Sequence, residues 1–216
     1  YYRLGVIYLL SQHHQLGIEL NGVVMRPKSD ESKGNLSIQD ANNIYKGISS
    51  STYHSPSDFM NVAFSYNWNF DKQNSNLKLL VNWNHKKMSS DNQLDAIYPE
   101  YANANVKEDN TNSSNANNWS TTIDFTKKLK TGWSFVSGGR IIVSTRNSDF
   151  YSWDRLNKLN DETHWKYKEN IGAAYVGIAK SFSKHWYINL NVRGEYTDVN
   201  GTYPEQAARN ISKHYT

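Results

Sequence analysis

Residues 59–70 read FMNVAFSYNWNF, and the two alternating series differ in chemistry. Met60, Val62, Phe64, Tyr66, Trp68 and Phe70 are all apolar or aromatic, whereas Phe59, Asn61, Ala63, Ser65, Asn67 and Asn69 are mostly small or amide-bearing. Alternation with a period of two predicts a β-strand whose two faces meet different surroundings. The period returns in QLGIELNGVV (15–24), NLKLLVNWNH (76–85), WSTTIDFTKK (119–128) and YINLNVRGEY (187–196). Segments 2–10, 133–146 and 167–181 are less regular but still β-like. Together these predict about eight strands.

The connections alternate as well. Short ones at 11–14, 71–76, 127–132 and 181–185 each join two strands as a hairpin. Long ones at about 29–57, 86–117, 147–164 and from 197 onward are dense in Asn, Ser, Asp and Tyr. The implied organisation is one domain over 1–216, with hairpins at about 2–28, 58–88, 118–147 and 165–200. Long helix-free loops argue against a compact soluble domain. In an outer-membrane barrel, short turns on one side and long loops on the other are the expected asymmetry.

Composition sharpens this. Fifteen Tyr and seven Trp sit in a chain whose mean hydropathy is −0.77, a combination that suits a barrel with one narrow apolar outer band. The longest apolar run, at 4–10, is far too short for a membrane-spanning helix, but barrels cross with strands of about 9–11 residues. The charge of +4 comes from 24 basic and 20 acidic residues scattered along the chain, with no basic block to mark a nucleic-acid surface. Cysteine is absent, which removes disulfides and thiolate metal sites. The segment opens without an initiator Met or leader, so any targeting signal is expected outside it.

A soluble β-sandwich also alternates, with its apolar residues inward. Here the polar series is mostly Asn, Ser, Thr and Gly, not the Lys/Glu mixture of a water-facing strand. Aromatics gather near strand ends, as Tyr66, Trp68, Phe70, Trp119, Trp133 and Trp186 do, which suits girdles at two membrane interfaces. The expected fold is therefore an all-β, antiparallel, up-and-down transmembrane barrel. Met60, Val62 and Phe64 would face lipid, and Asn61, Ser65 and Asn67 the lumen.

Several stretches resemble a known family. GGRIIVSTRNSDFYSW (138–153), YKENIGAAYVGIAKSF (167–182) and WYINLNVRGEYTDVNGT (186–202) look like consecutive hairpin strands of the outer membrane protein β-barrel family, and YYRLGVIYLLSQHHQLGIELNG (1–22) like an earlier hairpin. That family is related to the TonB-dependent receptors of Gram-negative bacteria. The resemblance implies an outer-membrane barrel of roughly 22 strands closed by a plug, importing a bulky nutrient with energy from the TonB complex. No plug or TonB-contacting segment is recognisable here, so the chain reads as an interior segment of a larger barrel, its solute unnamed.

Arg140, Glu169, Arg193 and Glu195 are the charged residues expected at the lumen or its rim, alongside Asn61, Ser65 and Asn67. They would contact a plug or line a solute path, or pair across strands and fix register. In the long loops, Tyr98, Tyr101, Phe150, Tyr151 and Trp153, with Tyr45 and Tyr53, would stack on a sugar or peptide ligand, or pack the loops together. The acidic runs SDES, KEDN and NDET lack calcium-loop spacing, and the histidines lack zinc spacing. No nucleophile elbow or phosphate-binding loop occurs, so no enzyme activity, cofactor or metal is expected. Nutrient uptake is the first functional reading. A small outer-membrane barrel with adhesive or ligand-binding loops and a soluble carbohydrate-binding sandwich are the alternatives.

Overall fold

The computed structural model describes residues 1–40, 43–182 and 186–216, which form an antiparallel sheet of 11 strands. In chain order these are β1 (Tyr2–Leu9), β2 (His14–Met25), β3 (Asp30–Gln39), β4 (Ile44–His54), β5 (Ser57–Asn69) and β6 (Asn76–Ile97). They continue with β7 (Val106–Lys128), β8 (Trp133–Asp154), β9 (Leu159–Ser181), β10 (Tyr187–Thr202) and β11 (Ile211–Tyr215). The main path runs β1-β2-β5-β6-β7-β8-β9-β10-β11, and the β3–β4 hairpin attaches through β4 to the far half of β6. The sheet does not close on itself: among the described residues β1 pairs only with β2, and residues 187–196 of β10 pair only with β9.

The alternating segments appear as β1, β2 and β5 to β10. The stretches expected as long connections differ. The β6–β7 ladder continues to Ala96 opposite Val106, and the β8–β9 ladder to Asp154 opposite Leu159. Only 98–105 and 155–158 remain as tips, while 29–57 holds the β3–β4 hairpin and the C-terminal region holds β11. The physical reason is that these ladders mix polar and apolar residues on both faces, so they carry no hydrophobic period. Their register is inherited from the hairpin below, since each added pair closes no new loop. Side chains reinforce it, as where Thr111 donates to Asp91 at 3.0 Å and Ser148 to Ser114 at 3.0 Å.

The turns have local causes. In β5–β6, the Asp71 carboxylate accepts from the N–H groups of Gln73 and Ser75, both at 2.9 Å, while Asn74 takes φ 61°. Lys127 Nζ reaches the same carboxylate at 2.8 Å, and the fully buried Ser75 hydroxyl accepts from Lys128 N at 2.8 Å. The β7–β8 turn closes through Leu129 N to Trp133 O at 2.8 Å, with Gly132 at φ 81°, where an L side chain would be strained. In β9–β10, Phe182 N donates to Trp186 O at 3.0 Å, and residues 183–185 of this expected turn lie outside the described residues.

Among the described residues no second layer covers the sheet. The buried apolar residues among them are Ala96, Tyr98 and Ala179, whereas Leu4, Ile18, Ile141, Leu190 and Val192 are exposed. A sandwich needs two packed sheets, so that alternative has no structural counterpart here.

Candidate functional site: the polar face and the extended wall

Pair registers sort the membrane-level side chains into two faces. On one face, Val6, Ile18, Phe64, Val81 and Thr121 follow one another across neighbouring strands, as do Leu79, Ile123 and Gly139 beside them. Val176 continues opposite Val192, and Ile178 opposite Leu190. This is a continuous apolar band from β1 to β10. Aromatic rings mark its turn-side border: His14 stacks on Trp68 at 5.5 Å, Trp68 meets Phe70 at 5.3 Å, and Phe70 stacks on Phe125 at 5.6 Å. The far border carries Trp83 and Trp119, centroids 6.3 Å apart. From Phe125 to Trp119 is six residues, or about 20 Å of strand at ~3.3 Å per residue.

The other face is mostly polar, and the expected lumen residues fall on three of its rungs, with the Ala63–Asn82–Ser120 rung between the first and the other two. The first joins Asn21, Asn61, Asn84, Asn118, Ser144 and Glu169. Another joins Ser65, Leu80, Thr122, Arg140, Ala173 and Glu195. The third joins Asn67, Lys78, Asp124, Gly138, Tyr175 and Arg193. Arg193 pairs with Glu195 of its own strand at 2.5 Å, and Arg3 with Glu19 at 2.9 Å. Arg140 has no ion pair among the described residues and is exposed. The four-asparagine rung and the Asp124–Tyr175 contact escape sequence reasoning, because they exist only once register aligns four strands for the first and three for the second.

Gly138 explains that contact. The Tyr175 ring lies across it to donate to Asp124, and a Cβ at Gly138 would sit 2.4 Å from the Tyr175 hydroxyl and 2.6 Å from the Ile123 carbonyl oxygen. Glycine is required there by close approach rather than by its backbone angles.

The loop aromatics are spread out. Tyr98 is 7 % exposed, covering Gly47, with its N–H held by Asn105 Oδ1 at 2.6 Å. Tyr101 stacks on Tyr45 at 4.6 Å. Phe150, Tyr151 and Trp153 lie in the outer part of β8, opposite Thr163, Glu162 and Asn160. Phe150 and Tyr151 are exposed and Trp153 half-buried. Two separate groups result, one at the β6–β7 tip and one on the β8–β9 wall.

The model of the outer membrane protein beta-barrel family matches residues 68–216, well over half of the chain. The chain belongs to that family. It is accordingly an outer-membrane β-barrel segment, with its apolar band in lipid and its short turns on the periplasmic side. No curated protein matches it. Among solved structures, the FpvAI–pyocin S2 complex is similar at 12 % identity and a TM-score of 0.48, covering 99 % of this chain and 37 % of that one. P. aeruginosa FpvA bound to a heterologous pyoverdine–iron complex is similar at 13 % identity and a TM-score of 0.45, covering 98 % and 36 %. The chain thus spans little more than a third of the length of these structures.

Beyond the outer border, side chains fasten the family member's extended wall. Arg155, at the β8–β9 tip, reaches Asp95 of β6 and lies 3.1 Å from Asp109 of β7. Asp154 caps the same tip: Asn157 Nδ2 donates to it at 2.7 Å and Leu156 N at 2.8 Å, holding its carboxyl below the usual range, the Asn157 bonds first among the causes. His164 is ringed by Asp149 at 2.7 Å, Glu162 at 3.1 Å and Glu205 at 3.7 Å. The Asp149 hydrogen bond, aided by the charges of Glu205 and Glu162, raises its pKa against the effect of partial burial. Nearby, His214 of β11 meets Asp198 of β10 at 2.9 Å.

This gives a pH prediction. A raised folded-state pKa means that the His164 tether is complete below the unfolded value of about 6.5 and fades as pH rises through the folded value. A nitroxide attached at Gln206 is expected to be immobilised at mildly acidic pH and to loosen as His164 deprotonates. His164→Gln should remove that change. A label with the same mobility across this range would contradict the tether.

Proposed function

We propose that this segment is part of a larger outer-membrane barrel that takes up a bulky nutrient. The observation carrying this reading is the pair of free lateral edges, on β1 and on residues 187–196 of β10, both at membrane depth. In lipid every backbone N–H and C=O needs a partner, so a spanning sheet must close. Further strands on both edges would close it into a barrel wide enough to need a plug. The small, amide-rich inner face with its exposed Arg140 would then line a watery interior, and the wall carrying Phe150 and Tyr151 would meet solute outside. By family resemblance, a plug domain and the TonB complex would gate and drive the step, with no chemical change to the solute.

Two measurements test this. An antibody against the 98–105 tip, used on fractionated cells, is expected to detect a heat-modifiable outer-membrane band several times larger than 24.9 kDa. A band near that mass would indicate that β1 and β10 pair with each other in a small barrel with ligand-binding loops. Medium depletion is then compared between parent and deletion strains, with and without a protonophore. Loss of uptake of one bulky solute in both cases supports energised import, and an unchanged profile contradicts it.

A further inference from the structure

The chain's excess positive charge is concentrated at one rim. Around the short turns lie Lys72, Lys127, Lys128, Lys130 and Lys180, and the acid among them, Asp71, is already held by Lys127 at 2.8 Å. The opposite rim mixes acidic and basic side chains, paired where Arg26 meets Asp58 and Arg155 meets Asp95 and Asp109. The turn-side lysines are joined to the aromatic girdle. Lys180 projects from the lipid-facing series of β9, its Nζ 4.7 Å from the Trp133 ring centroid and 4.8 Å from that of Phe182. Lys127 Nζ lies 5.2 Å from the Phe70 centroid. No carboxylate neutralises Lys180 among the described residues.

The geometry points to a binding rim for anionic glycerophospholipids in the periplasmic leaflet. The girdle rings sit at the depth where acyl chains give way to headgroups. A lysine stem lying along those rings delivers its ammonium to the phosphate level, and cation–π contact holds it there without a competing acid. The acyl chains then continue over the apolar band at Ile178, Leu190 and Val192. Lys72 and Lys130, both exposed in adjacent turns, extend the positive rim sideways. A phosphodiester with net negative charge fits this surface, and a zwitterionic headgroup gains much less from it.

The test uses the full-length protein in phosphatidylcholine bilayers, with trace spin-labelled phosphatidylglycerol or phosphatidylcholine reporting which lipid is immobilised. The expected result is preferential immobilisation of phosphatidylglycerol, weakening as salt screens the rim. The variant Lys72→Gln/Lys130→Gln/Lys180→Gln is expected to lose most of the preference, at about fivefold per lysine when each ammonium reaches the headgroup plane. Lys158→Gln and Lys213→Gln, at the opposite rim, should leave it unchanged. If the triple variant does not fold, the salt titration of the unaltered protein decides. Equal immobilisation of both lipids, a salt-independent preference, or a preference surviving in a folded triple variant would overturn the inference.

Discussion

Arginine at Val81 is expected to cost about 2–4 kcal/mol of folding stability in a bilayer, the penalty for a cation near the midplane on the lipid face. Val81 lies between Phe64 and Thr121 on the apolar face, between the Leu77–Phe125 and Trp83–Trp119 levels. Its neighbour Asn82 lies between Ala63 and Ser120 on the polar face. There the arginine keeps its hydration, and the change should stay within about 0.5 kcal/mol, as at an ordinary wet surface position. Denaturant titration of both variants in the same lipid measures the difference. Similar costs at the two positions would mean that the faces do not meet different solvents.

Gly138→Val is expected to be at least as damaging, for a different reason. Its side chain would collide with the Tyr175 hydroxyl and with the Ile123 carbonyl oxygen. The flexible tyrosine can swing away, but the backbone oxygen belongs to the β7–β8 ladder and must shift. Overpacking of this kind costs about 1–3 kcal/mol, and the displaced tyrosine gives up a charge-assisted bond to Asp124 worth about 1.5–3. A double-mutant cycle with Tyr175→Ala separates the two parts. In the Tyr175→Ala background the valine should cost markedly less. An undiminished cost would place the whole effect in the backbone collision.

Legibility in the sequence followed hydrophobic period. Where one face meets lipid, as along Leu16–Ile18–Leu20 or Met60–Val62–Phe64, alternation located the strand and named the face. Where both faces meet water, alternation vanished: KKMSSDNQLDAI and its partner KEDNTNSSNANN read as loop yet pair residue by residue. Register was illegible for a related reason, since it is set by turns and by the sum of cross-strand contacts. Asn61 and Ser65 were recognisable as a polar series, but not that Asn61 shares a rung with Glu169, or Ser65 with Arg140 and Glu195. The loop aromatics show the limit most plainly. Tyr98 reads like an exposed ligand contact, but a glycine at 47 on another hairpin gives its ring a place to be buried.

The most direct test of the account is a depth-and-face scan along β5. The chain has no cysteine, so single cysteines at 60 to 67 can each carry a small fluorophore without background within this segment. Emission is then quenched by nitroxide-labelled lipid or by an aqueous quencher in reconstituted bilayers. If the apolar face lies in lipid, Met60, Val62, Phe64 and Tyr66 positions will be quenched by the lipid nitroxide, and Asn61, Ala63, Ser65 and Asn67 positions will not. Uniform quenching along the strand, or the reverse alternation, would contradict the placement of this sheet in the membrane.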